Sequence, residues 1–312
     1  MPDLKVGVIG VGGWGKNHLR VLNEMNVLDA VCDLNEVRVK EYSTKYGIEG
    51  YVEIDEFLKR DLDGIIVSTP TKTHFQIVSK VIDNGKNVLV EKPFTYDIEE
   101  GEVLSRRAKE KKVMLTVGFI ERFNPGMREV KNLVDKDTIG APLYLLFIRE
   151  NRWPAHILDV GIILDTSIHD IDLSRWFFGK DPTMVFARNG KFGIDRERVS
   201  ALTLGFPDER SSLIISNWIT PRKTRQLEVV GENGIVSLDF ISQEIKIDLE
   251  DKTITPRIKY EEPLSLELRH FLECITSNKE PSVSGNDGVK ATKIAQAAMA
   301  SDKLGSAIFL EL

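Results

Sequence analysis

The sequence predicts a two-domain α/β protein: an N-terminal Rossmann-type, doubly wound parallel sheet, then an α+β domain with a large, mainly antiparallel open sheet. Over the first 120 residues short apolar runs alternate with helical stretches, the order that parallel strand–helix–strand units require. After Gly118 strand-like runs follow one another through short turns such as "FPDE" and "GENG", the order of an antiparallel sheet. The size agrees: 312 residues, 42% of them hydrophobic, supply core for two domains, expected at 1–120 and 121–312.

The elements of the first half can be justified in turn. "KVGVIG" (residues 5–10) is apolar without alternation, as a central parallel strand buried on both faces must be. "VGGWGKNHLRVLNEM" then takes the helical period, with Leu19, Leu22 and Met25 pointing inward. "LDAVCD" is a second strand and "NEVRVKEYSTKYG" a polar helix. "GIIVSTP" is a buried strand, and "THFQIVSKVIDNGK" a helix that ends at Gly85. "NVLVEKP", "DIEEGEVLSRRAKEKK" and "VMLTVGF" complete the alternation.

Within this frame "GVGGWG" places Gly10, Gly12 and Gly15 in the G-x-G-x-x-G spacing, between the first strand and the first helix. Gly10 serves the tight turn, Gly12 lets a pyrophosphate approach the backbone, and Gly15 lets helix and strand pack closely. The helix N-terminus offers unbonded N–H groups and a positive dipole end to phosphates. Val11, Gly13 and Trp14 complete the turn. Asp33, at the end of the second strand, stands at the interval expected of a ribose-binding carboxylate. A carboxylate accepts from a 2′-hydroxyl and repels a 2′-phosphate, and no Arg or Lys follows directly in "CDLNEV", so NAD is favoured over NADP; the nearest cations are Arg38 and Lys40.

Two more strand ends carry chemistry. Ser68, Thr69, Pro70 and His74 of "STPTKTH" fall at the carboxyl edge, where open parallel sheets bind ligands, and are candidates for the ribose and nicotinamide end. An ordinary strand-to-helix turn with Thr71 as N-cap is the competing reading. In "EKP", Glu91 and Lys92 stand at the equivalent edge of the next strand, with Pro93 holding the chain extended.

The second half offers "LYLLFIRE", "TMVFARNGKF", "VSALTLGF", "SSLIISNW", "RQLEVVG", "GIVSLDF" and "QEIKIDLE" as strands, with helices near 162–178, 264–277 and 287–304. The segment "LDTSIHDIDLSRWF" (164–177) carries four ionisable groups on a helix otherwise spaced for burial. At ~100° per residue, Leu164, Ile168 and Ile171 form one apolar stripe and Leu173 with Phe177 another. Asp165, His169 and Asp172 fall between these, with Trp176 beside them. Ser167, Asp170 and Ser174 lie ~165° away and are expected on the solvent face. Ionisable groups withdrawn from water need a partner or a use. A satisfied buried His–Asp pair or a surface helix are the plainer readings of the first stripe.

Other classes are disfavoured by composition. A net charge of −6 argues against a general binder of nucleic acid or membrane surfaces. No apolar run approaches the ~18 residues of a membrane span, and no leader pattern opens the chain. Cys32 and Cys274 share no metal-ligand spacing and suggest no disulfide framework, so a reducing cytoplasm is expected, and no zinc-like cluster is seen.

Taken together, "GVGGWG", "STPTKTH", "EKP", "GFIERFNP" and "DTSIHDID" resemble the GFO/IDH/MocA family of nicotinamide-dependent oxidoreductases, in order and over essentially the whole chain. The resemblance implies a Rossmann domain for NAD(P), and a second domain whose open sheet forms the substrate side and a homodimer or homotetramer contact. It implies that Lys92, Asp165 and His169 flank the substrate carbinol. His169 suits a general base and Lys92 an alkoxide-stabilising ammonium, Lys92 as base being the rival assignment. Asp165 would hold a substrate hydroxyl, and Asp172 is placed to orient the imidazole. Arg122, Asn124, Arg149, Arg152 and His156 suit an anionic ligand, or else pair with the chain's own acids. The "RFNP" and "ILDVGIILDTSIHDID" contexts resemble members that oxidise C3 of UDP-N-acetylglucosamine. A free sugar or inositol stays open as substrate, as do a lyase or hydrolase using bound NAD transiently and a non-catalytic NAD-sensing protein.

Overall fold

The computed structural model describes residues 4–153 and 159–312. In chain order these form β1 (Val6–Ile9), α1 (Gly15–Glu24), β2 (Leu28–Cys32), α2 (Glu36–Tyr46), β3 (Glu49–Tyr51), α3 (Ile54–Phe57), β4 (Gly64–Val67), α4 (His74–Asp83), β5 (Asn87–Glu91), α5 (Ile98–Lys111), β6 (Leu115–Gly118), α6 (Pro125–Asp135), β7 (Pro142–Glu150), α7 (Ile168–Phe178), β8 (Met184–Gly190), β9 (Val199–Gly205), β10 (Ser211–Asn217), β11 (Thr224–Gly231), β12 (Gly234–Asp239), β13 (Ile245–Leu249), β14 (Thr253–Ile254), α8 (Pro263–Ser277), α9 (Gly285–Leu304) and β15 (Ile308–Phe309). Short 3-10 turns occupy Thr71–Thr73 and Ile120–Phe123, and a π turn at Ile163–Ser167 runs straight into α7.

The chain divides into two compact units, Met1–Phe119 with Leu264–Val289 and Ile120–Pro263 with Lys290–Leu312. The C-terminal helices, grouped by sequence order with the second domain, are thus shared out, and the boundary falls inside α9. Among the described residues the first unit holds a six-stranded sheet in the order β3-β2-β1-β4-β5-β6, every pair parallel. Every residue of β1 and β4 is buried, as their unbroken apolar runs require. Strand order reverses beside β1, so the carboxyl ends of β1 and β4 open the crevice where such sheets bind nucleotides. The sequence pattern did not announce β3 or α3: three and four residues are too short to show a period.

The second unit is built on a nine-stranded sheet, β14-β13-β12-β11-β7-β10-β9-β8-β15, in which β7 and β10 run parallel and the other pairs antiparallel. Its strands β7, β9 and β10 alternate. Leu145, Phe147, Arg149, Ile214 and Ser216 are buried beneath helices, while Leu146 and Ile148, opposite Leu213 and Ile215, stand on the other face. Helix α6 starts at Asn124–Pro125: Asn124 caps it by accepting from the Gly126 amide, and Pro125 sits in the first turn, where its missing N–H costs nothing.

Helix α7 corrects one expectation. Ser167, Asp170 and Ser174, expected toward solvent, are all fully buried. Ser167 donates to Ser216 of β10, Ser174 to its own turn's Asp170 carbonyl, and Asp170 is ion-paired to Arg149 of β7. The polar stripe is a sheet-facing one because the sheet itself carries a buried arginine and buried serines. Periodicity locates a stripe but cannot see what the partner surface offers.

Candidate active site

In the first unit the four strand ends converge as the motifs require. Gly10 has φ +86°, and a Cβ there would stand 2.6 Å from Thr69 Cγ2 and 2.8 Å from the Ser68 carbonyl; at Gly15 it would stand 1.9 Å from the Gly10 carbonyl. At Gly12 a Cβ would meet nothing nearer than Arg38 Nη1 at 3.8 Å. The backbone at Gly12 therefore faces open space that a side chain would fill, a cradle that fits a pyrophosphate over the start of α1. Asp33 accepts from the Val11 and Asn35 amides, both at 2.8 Å, which fixes its carboxylate beside the glycine turn. Arg38, one turn into α2, reaches to 4.0 Å from Asp33 Oδ2. Ser68 and Thr69 are half-buried against this turn and Pro70 is exposed.

Glu91 and His74 work differently from what was expected. The Glu91 carboxylate is buried and accepts from Trp14 Nε1 at 2.7 Å and the Lys92 amide at 3.2 Å, with His18 Nε2 at 2.8 Å. Burial pushes this carboxyl up, but the His18 bond and charge together with Lys92 more than offset it, so its pKa lies below the ordinary value. Glu91 ties the glycine turn to the end of β5 and sets the half-open Lys92 between buried neighbours. His74, expected to line the cofactor, is buried with Nδ1 on the Pro93 and Phe94 carbonyls and Nε2 on the Thr69 carbonyl. Its ring braces two strand ends and has no face left for a ribose. Thr71 is buried in a 3-10 turn rather than capping α4. His18 is a residue that sequence reasoning missed; its i, i+4 spacing from Trp14 was the available signal.

In the second unit, the segment from Gly161 to Phe178 is buried on every side except at Asp165, Thr166, His169 and Trp176. Thr166 donates to Asp165 Oδ2 at 2.9 Å and accepts from Trp218 Nε1 at 3.2 Å, so a buried tryptophan and a hydroxyl orient the acid. Thr166 and Trp218 carried no motif and were missed. Asp172 anchors Arg122: Nε reaches Oδ2 at 2.7 Å and Nη2 reaches Oδ1 at 2.5 Å.

That pairing also corrects the substrate set. Arg122 is 6% exposed and committed to Asp172. Arg149 is 2% exposed, bound to Asp170 at 2.8 Å and Glu121 at 2.9 Å. Burial pushes Asp170 up to about 6 against the pull of Arg149. Asn124 is 1% exposed and spends its amide on the Phe240 carbonyl, Glu121 and the Gly126 amide. These side chains hold the unit together because an arginine or amide taken out of water must be matched from within. Arg152 is exposed at the end of β7; His156 lies outside the described residues.

Residues 4–119 match the oxidoreductase family described as having an NAD-binding Rossmann fold, and residues 127–237 match the GFO/IDH/MocA C-terminal domain. The chain is 29% identical over 332 residues to scyllo-inositol 2-dehydrogenase (NAD(+)) of Bacillus subtilis, covering 99% of this chain and 97% of that one. It is 26% identical over 309 residues to UDP-N-acetylglucosamine 3-dehydrogenase of Acidithiobacillus ferrooxidans, covering 96% of each. A solved structure of that enzyme superposes with a TM-score of 0.90 at 25% identity, over 97% of this chain and 99% of the other.

Proposed function

Since the chain belongs to the GFO/IDH/MocA family of NAD-binding oxidoreductases, we propose that it oxidises C3 of a UDP-linked N-acetyl amino sugar to the ketone. Bound NAD supplies the acceptor for the hydride that leaves the carbinol carbon. The glycine turn at Gly10, Gly12 and Gly15 holds its pyrophosphate, Asp33 its adenosine ribose, and Ser68, Thr69 and Pro70 line the strand end beyond. Lys92 donates to the reacting oxygen and steadies the charge that grows there. His169 takes the hydroxyl proton, a role suited to an imidazole neutral near pH 7. Asp165, oriented through Thr166, accepts from a neighbouring hydroxyl and fixes the sugar's rotation.

The observation that carries this reading is the half-open Asp165, Thr166 and His169 stripe on a segment otherwise buried. Ser167, Asp170 and Ser174 of the same segment are fully buried, while Asp165, Thr166 and His169 remain partly accessible. A second reading, an inositol or free-sugar dehydrogenase, is favoured by the likeness to scyllo-inositol 2-dehydrogenase. A panel of UDP-sugars, inositols and free sugars, with NAD and NADP, separates the two by the absorbance of reduced cofactor. UDP-N-acetylglucosamine reduces NAD in that panel if the first reading holds; inositol alone doing so overturns it.

The outer face of the large sheet supports a homodimer or homotetramer, and the two free cysteines, Cys32 and Cys274, suit a reducing cytoplasm. Leu213 and Ile215 are exposed there beside Leu146 and Ile148 in the next strand, an apolar patch suited to a second copy. Sedimentation of Ile215→Glu as a smaller species than wild type tests it.

A further inference from the structure

With Arg122 and Arg149 consumed by Asp172, Asp170 and Glu121, an anionic substrate needs other cations. They stand at the start of β11 and just before it. Arg225 lies directly across from Arg149 of β7, so it stands on the sheet face that carries α7, and Lys223 precedes it by two residues. Arg225 Nη1 stands 3.7 Å from Glu121 Oε1, an oxygen already bound by Arg149 at 2.9 Å. Lys223 is exposed and makes no ion pair among the described residues. Burial and the charge of Arg149 hold Arg225 below its ordinary pKa, and the charge of Arg225 does the same to Lys223. Two cations two residues apart, one exposed and the other sharing its acid's oxygen with Arg149, are stabilised when an oxyanion binds both. Arg149, opposite Arg225, is ion-paired to Asp170, the neighbour of His169 on α7, so Arg225 stands on the sheet face against which that helix packs.

We propose that Lys223 and Arg225 form an anion subsite for the phosphate groups of a nucleotide-sugar substrate, on the face of the unit that presents Asp165 and His169. This rests on the functional reading above and sharpens it: the anomeric phosphate is attached two carbons from C3, so a C3 dehydrogenase needs a phosphate contact beside its carbinol site. An inositol offers that pair nothing. Guanidinium and ammonium together suit phosphate, the first by its planar fork and the second as a point charge.

Calorimetric titration of inorganic pyrophosphate and of UDP into the NAD-saturated protein, whose dinucleotide turn is then filled, tests the subsite directly. Wild type binds both, Lys223→Gln and Arg225→Gln weaken binding about tenfold or more, and Arg225→Lys, which keeps the charge, retains it. Lys246→Gln, an exposed charge on β13, serves as the control and binds as wild type does. In the same variants the KM for UDP-N-acetylglucosamine rises more than kcat falls. No binding by wild type, or binding unchanged in both glutamine variants, overturns the subsite. Pyrophosphate binding lost in the variants while no UDP-sugar is oxidised keeps the subsite and removes the proposed substrate. Oxidation of the UDP-sugar with KM unchanged in the variants keeps the substrate and removes the subsite.

Discussion

Helix α7 and the turn leading into it carry two polar stripes with opposite fates. Ser167, Asp170 and Ser174 are fully buried and matched by Ser216, Arg149 and the helix's own backbone. Asp165 and His169 stay half-open, and Asp165 accepts from Thr166, a hydroxyl held in turn by Trp218. Charge in the first stripe is spent on holding helix to sheet. The second stripe divides: Asp172 is buried against Arg122, while Asp165 and His169 are left partly accessible, which is what a reacting hydroxyl requires. The contrast separates stability from chemistry within a few turns of one segment.

Breaking the buried stripe has the largest expected effect. Asp170→Asn leaves the Arg149 guanidinium in the interior with Glu121 as its acid, and loses about 3–5 kcal/mol of stability, read from denaturant midpoints. An unchanged midpoint would mean that this pair contributes nothing and that the two stripes do not differ in kind. Thr166→Val lies at the junction of the stripes. It strips Trp218 of its acceptor and Asp165 of its donor, costing about 1–3 kcal/mol, and lowers kcat as well because the acid is no longer oriented. A loss of stability with kcat intact would place Thr166 wholly on the structural side. The smallest effect concerns the buried acid of the other unit. Glu91 titrates below its ordinary 4.5 when folded, so its contribution is present above that pH and is lost as pH falls through the folded value. Wild type therefore loses stability on acidification below about 4.5, and Glu91→Gln, compared at the same pH values, loses less; parallel acid limbs would contradict it.

Much of the first unit was legible because its signals are local. An apolar run ending in G-x-G-x-x-G fixes a strand, a turn and a helix within a few residues, and Gly10, Gly15 and Asp33 stand where that spacing places them. Nothing local announced that His18 would meet Glu91 across 73 residues, or that the buried His74 would set its ring between the carbonyls of two strand ends. In the second unit the period of "LDTSIHDIDLSRWF" marked two polar stripes correctly and misjudged the environment of one. Its partner, Arg149, arrives from a strand that reads only as alternating, and alternation says which residues share a face without saying what covers it. Asn124 was read as a ligand when its neighbour Pro125 marks a helix start. Lys223 and Arg225 drew no notice because their meaning comes from Arg149 across the sheet, with which Arg225 shares a single oxygen of Glu121.

The comparison between the stripes is tested most directly by His169→Gln, assayed with whichever substrate of the panel reduces NAD and melted under the same conditions. The account predicts that kcat falls by about 10²–10⁴-fold while stability stays within about 0.5 kcal/mol of wild type. Turnover within twofold of wild type, or a loss of stability as large as that of Asp170→Asn, would contradict it.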